Sequence, residues 1–161
     1  MTLDRSLFSS ATGCWNTPSE ILDLVRQLGP IVLDPCPGEG DVVRALVRGQ
    51  GDGLSLNWHA YGVGIVWVNP PYGRGIGAWM EKCADSECNG VDVVALVPAR
   101  TDAAWWQDTV PNAASVCFWR GRIQFMGAPA SAPFPSALIY WGQRAARFEQ
   151  IFKNYGWVVR P

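Results

Sequence analysis

The chain has no CxxC pair, and its five cysteines come no closer together than Cys83 and Cys88. An odd count without metal-ligand spacing argues against a disulfide framework and a zinc site, and for a reducing compartment. There is one histidine, His59, in a Gly- and Tyr-rich stretch that reads as a solvated loop. No Ser–His or Cys–His pair is suggested, so hydrolase chemistry is set aside. No apolar run approaches the roughly 18 residues of a membrane span, and Met1-Thr-Leu-Asp-Arg5 lacks the apolar stretch of a secretory signal. The expected location is therefore the cytoplasm, with no membrane partner. Charge is scarce, at 17% of residues and a net −1, so the whole chain is not built to hold a polyanion by bulk electrostatics.

What is present is apolar: 48% hydrophobic residues and nine tryptophans in 161 positions. That is one domain's worth of chain, and residues 1–161 read as a single domain without repeat or linker. The few charges are unevenly spread. Residues 1–99 hold six Lys/Arg against eleven Asp/Glu; residues 100–161 hold seven against three. Any surface facing a polyanion belongs to the second part.

Residues 1–15 lack a period and read as a mobile arm. A helix follows to Leu28, with Thr17 and Glu20 as a capping box, Pro18 at its first position, and Ile21, Leu24, Val25 and Leu28 on one buried face. Apolar runs at 31–33, 63–68 and 91–97 read as buried strands, and 41–48, 79–86 and 101–108 as helices between and after them. Then the pattern changes: strands at 114–119, 123–126 and 136–141 are joined without helices, before a helix at 143–154 and a last strand at 157–159. Strand–helix alternation with such an ending predicts an α/β layered sheet, mostly parallel, with an antiparallel hairpin near the C-terminal edge.

Two motifs close the first two strands. Asp34-x-x-x-Gly38-x-Gly40 puts a carboxylate and two glycines at a strand end, where backbone can pass close to a ligand. A carboxylate there suits a ligand with positive charge or hydroxyls, such as S-adenosylmethionine; a plain tight turn is the competing explanation. Asn69-Pro70-Pro71-Tyr72 is more specific. Two prolines fix a stiff loop, so the Asn69 side chain and the Pro70 carbonyl stand as two outward acceptors. Together they can hold both hydrogens of a planar amine, with the Tyr72 ring as a stacking face. On this logic Asp at position 69 would serve as well as Asn.

With these pieces in place the chain resembles the small phage-type DNA N6-adenine methyltransferases, the Dam-like enzymes. The matching segments are Trp15-Asn-Thr-Pro18, Asp52-Gly-Leu with Trp58, Val66-Trp-Val-Asn-Pro-Pro-Tyr72, Leu96-Val-Pro-Ala-Arg-Thr-Asp102 with Trp105-Trp106, and Gly121-Arg-Ile-x-Phe125. The resemblance implies a compact Rossmann-like methyltransferase sheet and transfer of a methyl group from S-adenosylmethionine to the N6 amine of adenine in DNA. It implies cofactor contacts at Trp15, Thr17, Pro18, Asp34, Gly38, Gly40, Asp52 and Asn69. It further implies an amine-binding centre at Asn69, Pro70, Pro71 and Tyr72, and substrate DNA along Arg100, Arg120 and Arg122. No metal is implied. Only 29 residues separate Gly40 from Asn69, so one βα unit of the full fold is expected to be missing. Asp52, Glu39 and Asp41 then compete for the ribose hydroxyls. Asn-Pro-Pro-Tyr also occurs in glutamine-amide and RNA guanine-N2 methyltransferases, and a catalytically silent relative is a third reading.

Overall fold

The apolar runs form one seven-stranded sheet in a computed structural model that describes residues 15–87 and 90–161. The expected arm therefore lies, all but Trp15, outside the described residues, as does Cys88. In chain order the elements are α1 (Ser19–Leu28), β1 (Ile31–Asp34), β2 (Val47–Arg48), β3 (Ile65–Val68), α2 (Ile76–Glu87), β4 (Asp92–Pro98), α3 (Ala104–Thr109), β5 (Ser115–Trp119), β6 (Ser136–Trp141), α4 (Ala145–Phe152) and β7 (Gly156–Val159). Strand order is β2-β1-β3-β4-β6-β5-β7. The first four neighbours pair in parallel, and the rest are antiparallel, as the sequence predicts.

The strands read as unbroken apolar runs because both faces are covered. Ile65, Trp67, Val94, Leu96, Leu138 and Tyr140 face one layer, with α1 and Phe148 and Phe152 of α4. Val66, Val68, Val93, Ala95, Ile139 and Trp141 face the other, with Met80 of α2 and Trp106 of α3. From β1 the chain steps out to β2, then returns to β3 on the other side of β1. The carboxyl ends of β1 and β3 thus flank a topological switch point, where open α/β sheets bind ligands.

Three local expectations fail, each for a nonlocal reason. Residues 41–48 are not a helix: Arg44 takes a left-handed φ of 50°, and the Leu46 amide donates to the Ile31 carbonyl (3.0 Å), drawing Val47 and Arg48 into β2. The missing βα unit is real in this sense: between β1 and β3 stand only a two-residue strand and two short 3₁₀ turns. Residues 123–126 form no strand; Gly121, at φ 77°, turns the chain away, and Met126 makes a lone bridge to Asn16. The capping box does not close, for Pro18 is the N-cap and no side chain caps the helix.

Candidate active site

The glycine loop begins at a buried acid. Asp34 ends β1 at 3% exposure, and among the described residues its carboxylate accepts only the Cys36 amide, at 3.3 Å. Among the described residues it forms no salt bridge. Burial pushes its pKa up to about 6, outweighing the Cys36 amide and the nearby Arg48 guanidinium, which pull down. Arg48 instead donates to the Gly38 carbonyl (2.9 Å) and braces the loop. Gly40 holds φ +67° with open space where a Cβ would stand, so here glycine serves a left-handed backbone. No helix follows it, and the loop lacks the helix N-terminus that the 41–48 reading implied.

Over this loop folds the turn of residues 49–53. A Cβ on Gly53 would meet the Pro35 carbonyl oxygen at 1.9 Å, so only glycine permits the approach. Buried Trp58 fixes the turn from beneath, donating from its indole nitrogen to the Gly53 carbonyl (3.0 Å). Asp52 stands exposed on that turn, spending its carboxylate on the Ser55 hydroxyl (2.7 Å) and the Leu54 amide (3.0 Å). Those two bonds hold its pKa low. Glu39 and Asp41 are exposed on the loop itself.

At the end of β3, the Asn69 side chain makes three hydrogen bonds. Its Nδ2 donates to the Trp15 carbonyl (2.9 Å) and the Thr17 hydroxyl (3.3 Å), and its Oδ1 accepts the Tyr72 hydroxyl (2.8 Å). The Cys36 thiol donates to the Asn69 carbonyl (3.2 Å), joining the glycine loop to the Asn-Pro-Pro-Tyr loop. The Pro70 carbonyl has no donor among the described residues. Tyr72 is half-buried with its hydroxyl turned inward, and burial pushes the phenol well above its ordinary pKa. That hydroxyl also lies 3.2 Å from the Leu96 carbonyl. Phe125 and Phe134 meet its ring edge-on, with centroids 6.3 and 5.6 Å away.

Residues 15–17 form a strap across this edge. Besides the contacts to Asn69, Asn16 donates to the Glu39 carbonyl (2.9 Å) and accepts the Met126 amide (2.9 Å). The structure thus brings Trp15, Thr17, Asp34, Gly38, Gly40 and Asn69–Tyr72 to one edge, and Pro18 adjoins them. Arg100 follows β4 and Arg120 follows β5, which runs in the same direction as β4, so both reach that edge, with Arg122 beyond the Gly121 turn. All three are exposed and form no salt bridge among the described residues. Arg120 and Arg122 sit on the turn that leaves β5. Trp106 is buried, and Trp105 is half-buried. His59 is exposed on a short 3₁₀ turn, as expected.

Sequence reasoning missed Cys36, Arg48 and the Phe125–Phe134 walls, since only the fold brings them here. It also missed Ser136, opposite Pro98 in the pairing of β6 with β4; its buried hydroxyl has no partner among the described residues. A concavity at the opposite edge of the sheet is lined by Pro30, His59, Val63, Asp92 and Arg144. Its two opposite charges are paired with each other.

A mixed α/β sheet with an acid, a glycine loop and an Asn-Pro-Pro-Tyr loop at its switch point is the frame of an amine methyltransferase. The family model for DNA N-6-adenine-methyltransferase (Dam) matches residues 6–137, and the chain belongs to that family of DNA adenine methyltransferases. No curated relative and no solved structure matches at a significant level.

Proposed function

We propose that the chain methylates the N6 amine of adenine at particular sites in DNA, drawing the methyl group from S-adenosylmethionine, on a base extruded from the helix. The observation that carries this is the pair of acceptors at the end of β3. Asn69 Oδ1 has two lone pairs and Tyr72 takes one; the Pro70 carbonyl is free among the described residues. Together they leave an acceptor for each hydrogen of one –NH2 group.

The residues fit the cofactor on one structural ground. Asp34 is a buried carboxylate with a single backbone donor, and a cationic amine or hydroxyl would complete it. The Gly38–Gly40 loop lies at the same edge of the sheet as Asp34. S-adenosylmethionine supplies a methyl group on a sulfonium, already activated, so no covalent enzyme intermediate is needed. The chain's own work is positioning. Asn69 and Pro70 orient the amine and stabilise the positive charge that grows on its nitrogen. Tyr72 presents a ring to the base. Arg100, Arg120 and Arg122 offer charge to the phosphates. N6 is base-paired in a duplex, so the adenine must leave the stack first.

The test is tritium transfer from labelled S-adenosylmethionine to adenine-rich DNA, with a release-factor peptide carrying a glutamine in a parallel arm. Label in DNA, located at N6 after digestion, is the expected result. Label in the peptide alone would replace this reading with the glutamine one. Binding without transfer to either would identify a silent relative.

A further inference from the structure

We propose that Thr17 is a positioning residue for the amine-binding centre: with the Trp15 carbonyl it fixes the Asn69 amide so that oxygen, not nitrogen, faces the target amine. The inference rests on the two-acceptor reading of Asn69 and Pro70. An asparagine amide is nearly symmetric in shape, and a half-turn about its last bond would present two donors to an amine that also donates. Something must distinguish the two ends. The Trp15 carbonyl can only accept, so the group 2.9 Å from it must be the NH2. That NH2 has two hydrogens, and Thr17 Oγ1, at 3.3 Å, receives the second. The oxygen is left to Tyr72 and to the substrate. Thr17 is 2% exposed and sits in a strap pinned at Glu39 and Met126, so its hydroxyl is held in place and shielded from water.

This arrangement separates Asn from Asp at position 69, which the motif alone does not. A carboxylate there would set an anionic oxygen against the Trp15 carbonyl, two acceptors with no proton between them. On this proposal Asp at position 69 would not serve equally, against the reading of the motif by itself.

The experiment uses the full chain and four variants: Thr17→Val, Thr17→Ser, Asn69→Ala and the Thr17→Val/Asn69→Ala double. Single-turnover methyl transfer to adenine DNA is measured at saturating S-adenosylmethionine, and cofactor affinity by calorimetry. Thr17→Val should slow transfer about tenfold, with cofactor affinity within about twofold of wild type, and Thr17→Ser should restore the rate. In the Asn69→Ala background Thr17→Val should have no further effect, because the amide it orients is gone. An equal loss in both backgrounds, or a loss confined to cofactor affinity, would overturn the proposal and make Thr17 a cofactor contact. A second readout needs no turnover. In ¹⁵N-labelled protein the two Asn69 side-chain amide protons should exchange slowly with water, and one should become fast in Thr17→Val but not in Thr17→Ser. Unchanged exchange in Thr17→Val overturns the proposal even if the enzyme is active. Wild-type chain that labels no DNA sinks the methyltransferase reading instead, while the exchange measurement still decides the role of Thr17. Should Thr17→Val not fold, Asn69→Asp stands in. It should be at least about tenfold slower than wild type near neutral pH and gain rate as the pH falls, because a protonated carboxyl can donate to Trp15. A pH-independent rate equal to wild type would overturn the proposal.

Discussion

The two edges of the sheet treat their polar groups in opposite ways. At the amino ends of the parallel strands, Arg144 donates to Asp92 from Nε (2.9 Å) and Nη2 (2.5 Å) and to the Leu28 carbonyl; Tyr140 donates to Asp92 (3.1 Å) and accepts the Arg144 amide (2.9 Å). Burial works against the Arg144 charge, yet Asp92 holds its pKa above the ordinary value. Burial pushes Tyr140 up to about 12. Each of these groups is answered by another within the chain. At the carboxyl ends, Asp34 has one backbone donor, Asn69 Oδ1 keeps a lone pair, and the Pro70 carbonyl and three arginines await partners from outside. A closed network fastens α1 to the sheet; an open one is where a ligand is bound. The amino end answers its charged groups within the chain, although the buried indole nitrogen of Trp141, paired with Val93 there, has no partner among the described residues; the carboxyl end leaves its acceptors to a ligand.

The sharpest way to break this comparison is Asn69→Ala. Turnover should fall at least about a hundredfold, on the order of the 2.7–4 kcal/mol lost with one transition-state hydrogen bond. A rate close to wild type would mean the open edge is not the reacting one.

Next in size is Asp34→Asn. The folded pKa of about 6 lies above the ordinary carboxylate value of 3.8, so the folded chain holds this proton more tightly. Its contribution is favourable below about pH 4 and is lost as the pH rises through about 6. At neutral pH the buried charge should cost roughly 2–3 kcal/mol at 1.36 kcal/mol per pKa unit. The variant should therefore unfold at higher denaturant than wild type at pH 7 and alike at pH 4, while cofactor affinity collapses. Equal stability of the two across that range would show that Asp34 is not strained by burial.

Arg144→Ala tests the closed edge. The Arg144 side chain is 42% exposed, so its loss should cost only about 1–2 kcal/mol. Thermal midpoints should fall by roughly 2–4 °C per kcal/mol, with methyl transfer intact below the midpoint. A lost rate in a folded variant would show that the edges are coupled. The smallest effect belongs to Tyr72→Phe, which keeps the ring and frees Asn69 Oδ1 from its hydroxyl; transfer should change by less than about tenfold. Tyr72→Ala, which removes the ring, should be slower on a paired adenine than on a mismatched one.

What could be read beforehand followed from periodicity and from chemistry local in sequence. Ile21, Leu24, Val25 and Leu28 announce α1, and the runs around Val66 and Val94 announce buried strands. The Asn-Pro-Pro-Tyr loop declares its own stiffness. What misled were segments whose partners lie far along the chain. Residues 41–48 have helical spacing, but the exposed edge of β1 takes Val47 and Arg48 as a strand. Thr17 looks like a cap for the next helix, yet its hydroxyl serves a residue 52 positions away. Asp52, read as a cofactor acid, is exposed on its own turn, where its carboxylate accepts the Leu54 amide and the Ser55 hydroxyl and keeps acceptor sites toward solvent.

The strap has a consequence in time. Asn16 and its neighbours leave the ribosome before their partners, which are Glu39, Asn69 and finally Met126. Closing such long loops is slow compared with forming α1, which needs only its own residues and the first strands. A nascent chain can therefore carry a finished glycine loop while its amine centre is still unformed, and activity begins only once most of the sheet has been synthesised and folded. Chain lacking residues up to Thr17 would keep its two apolar layers and lose the element that joins three loops into one site.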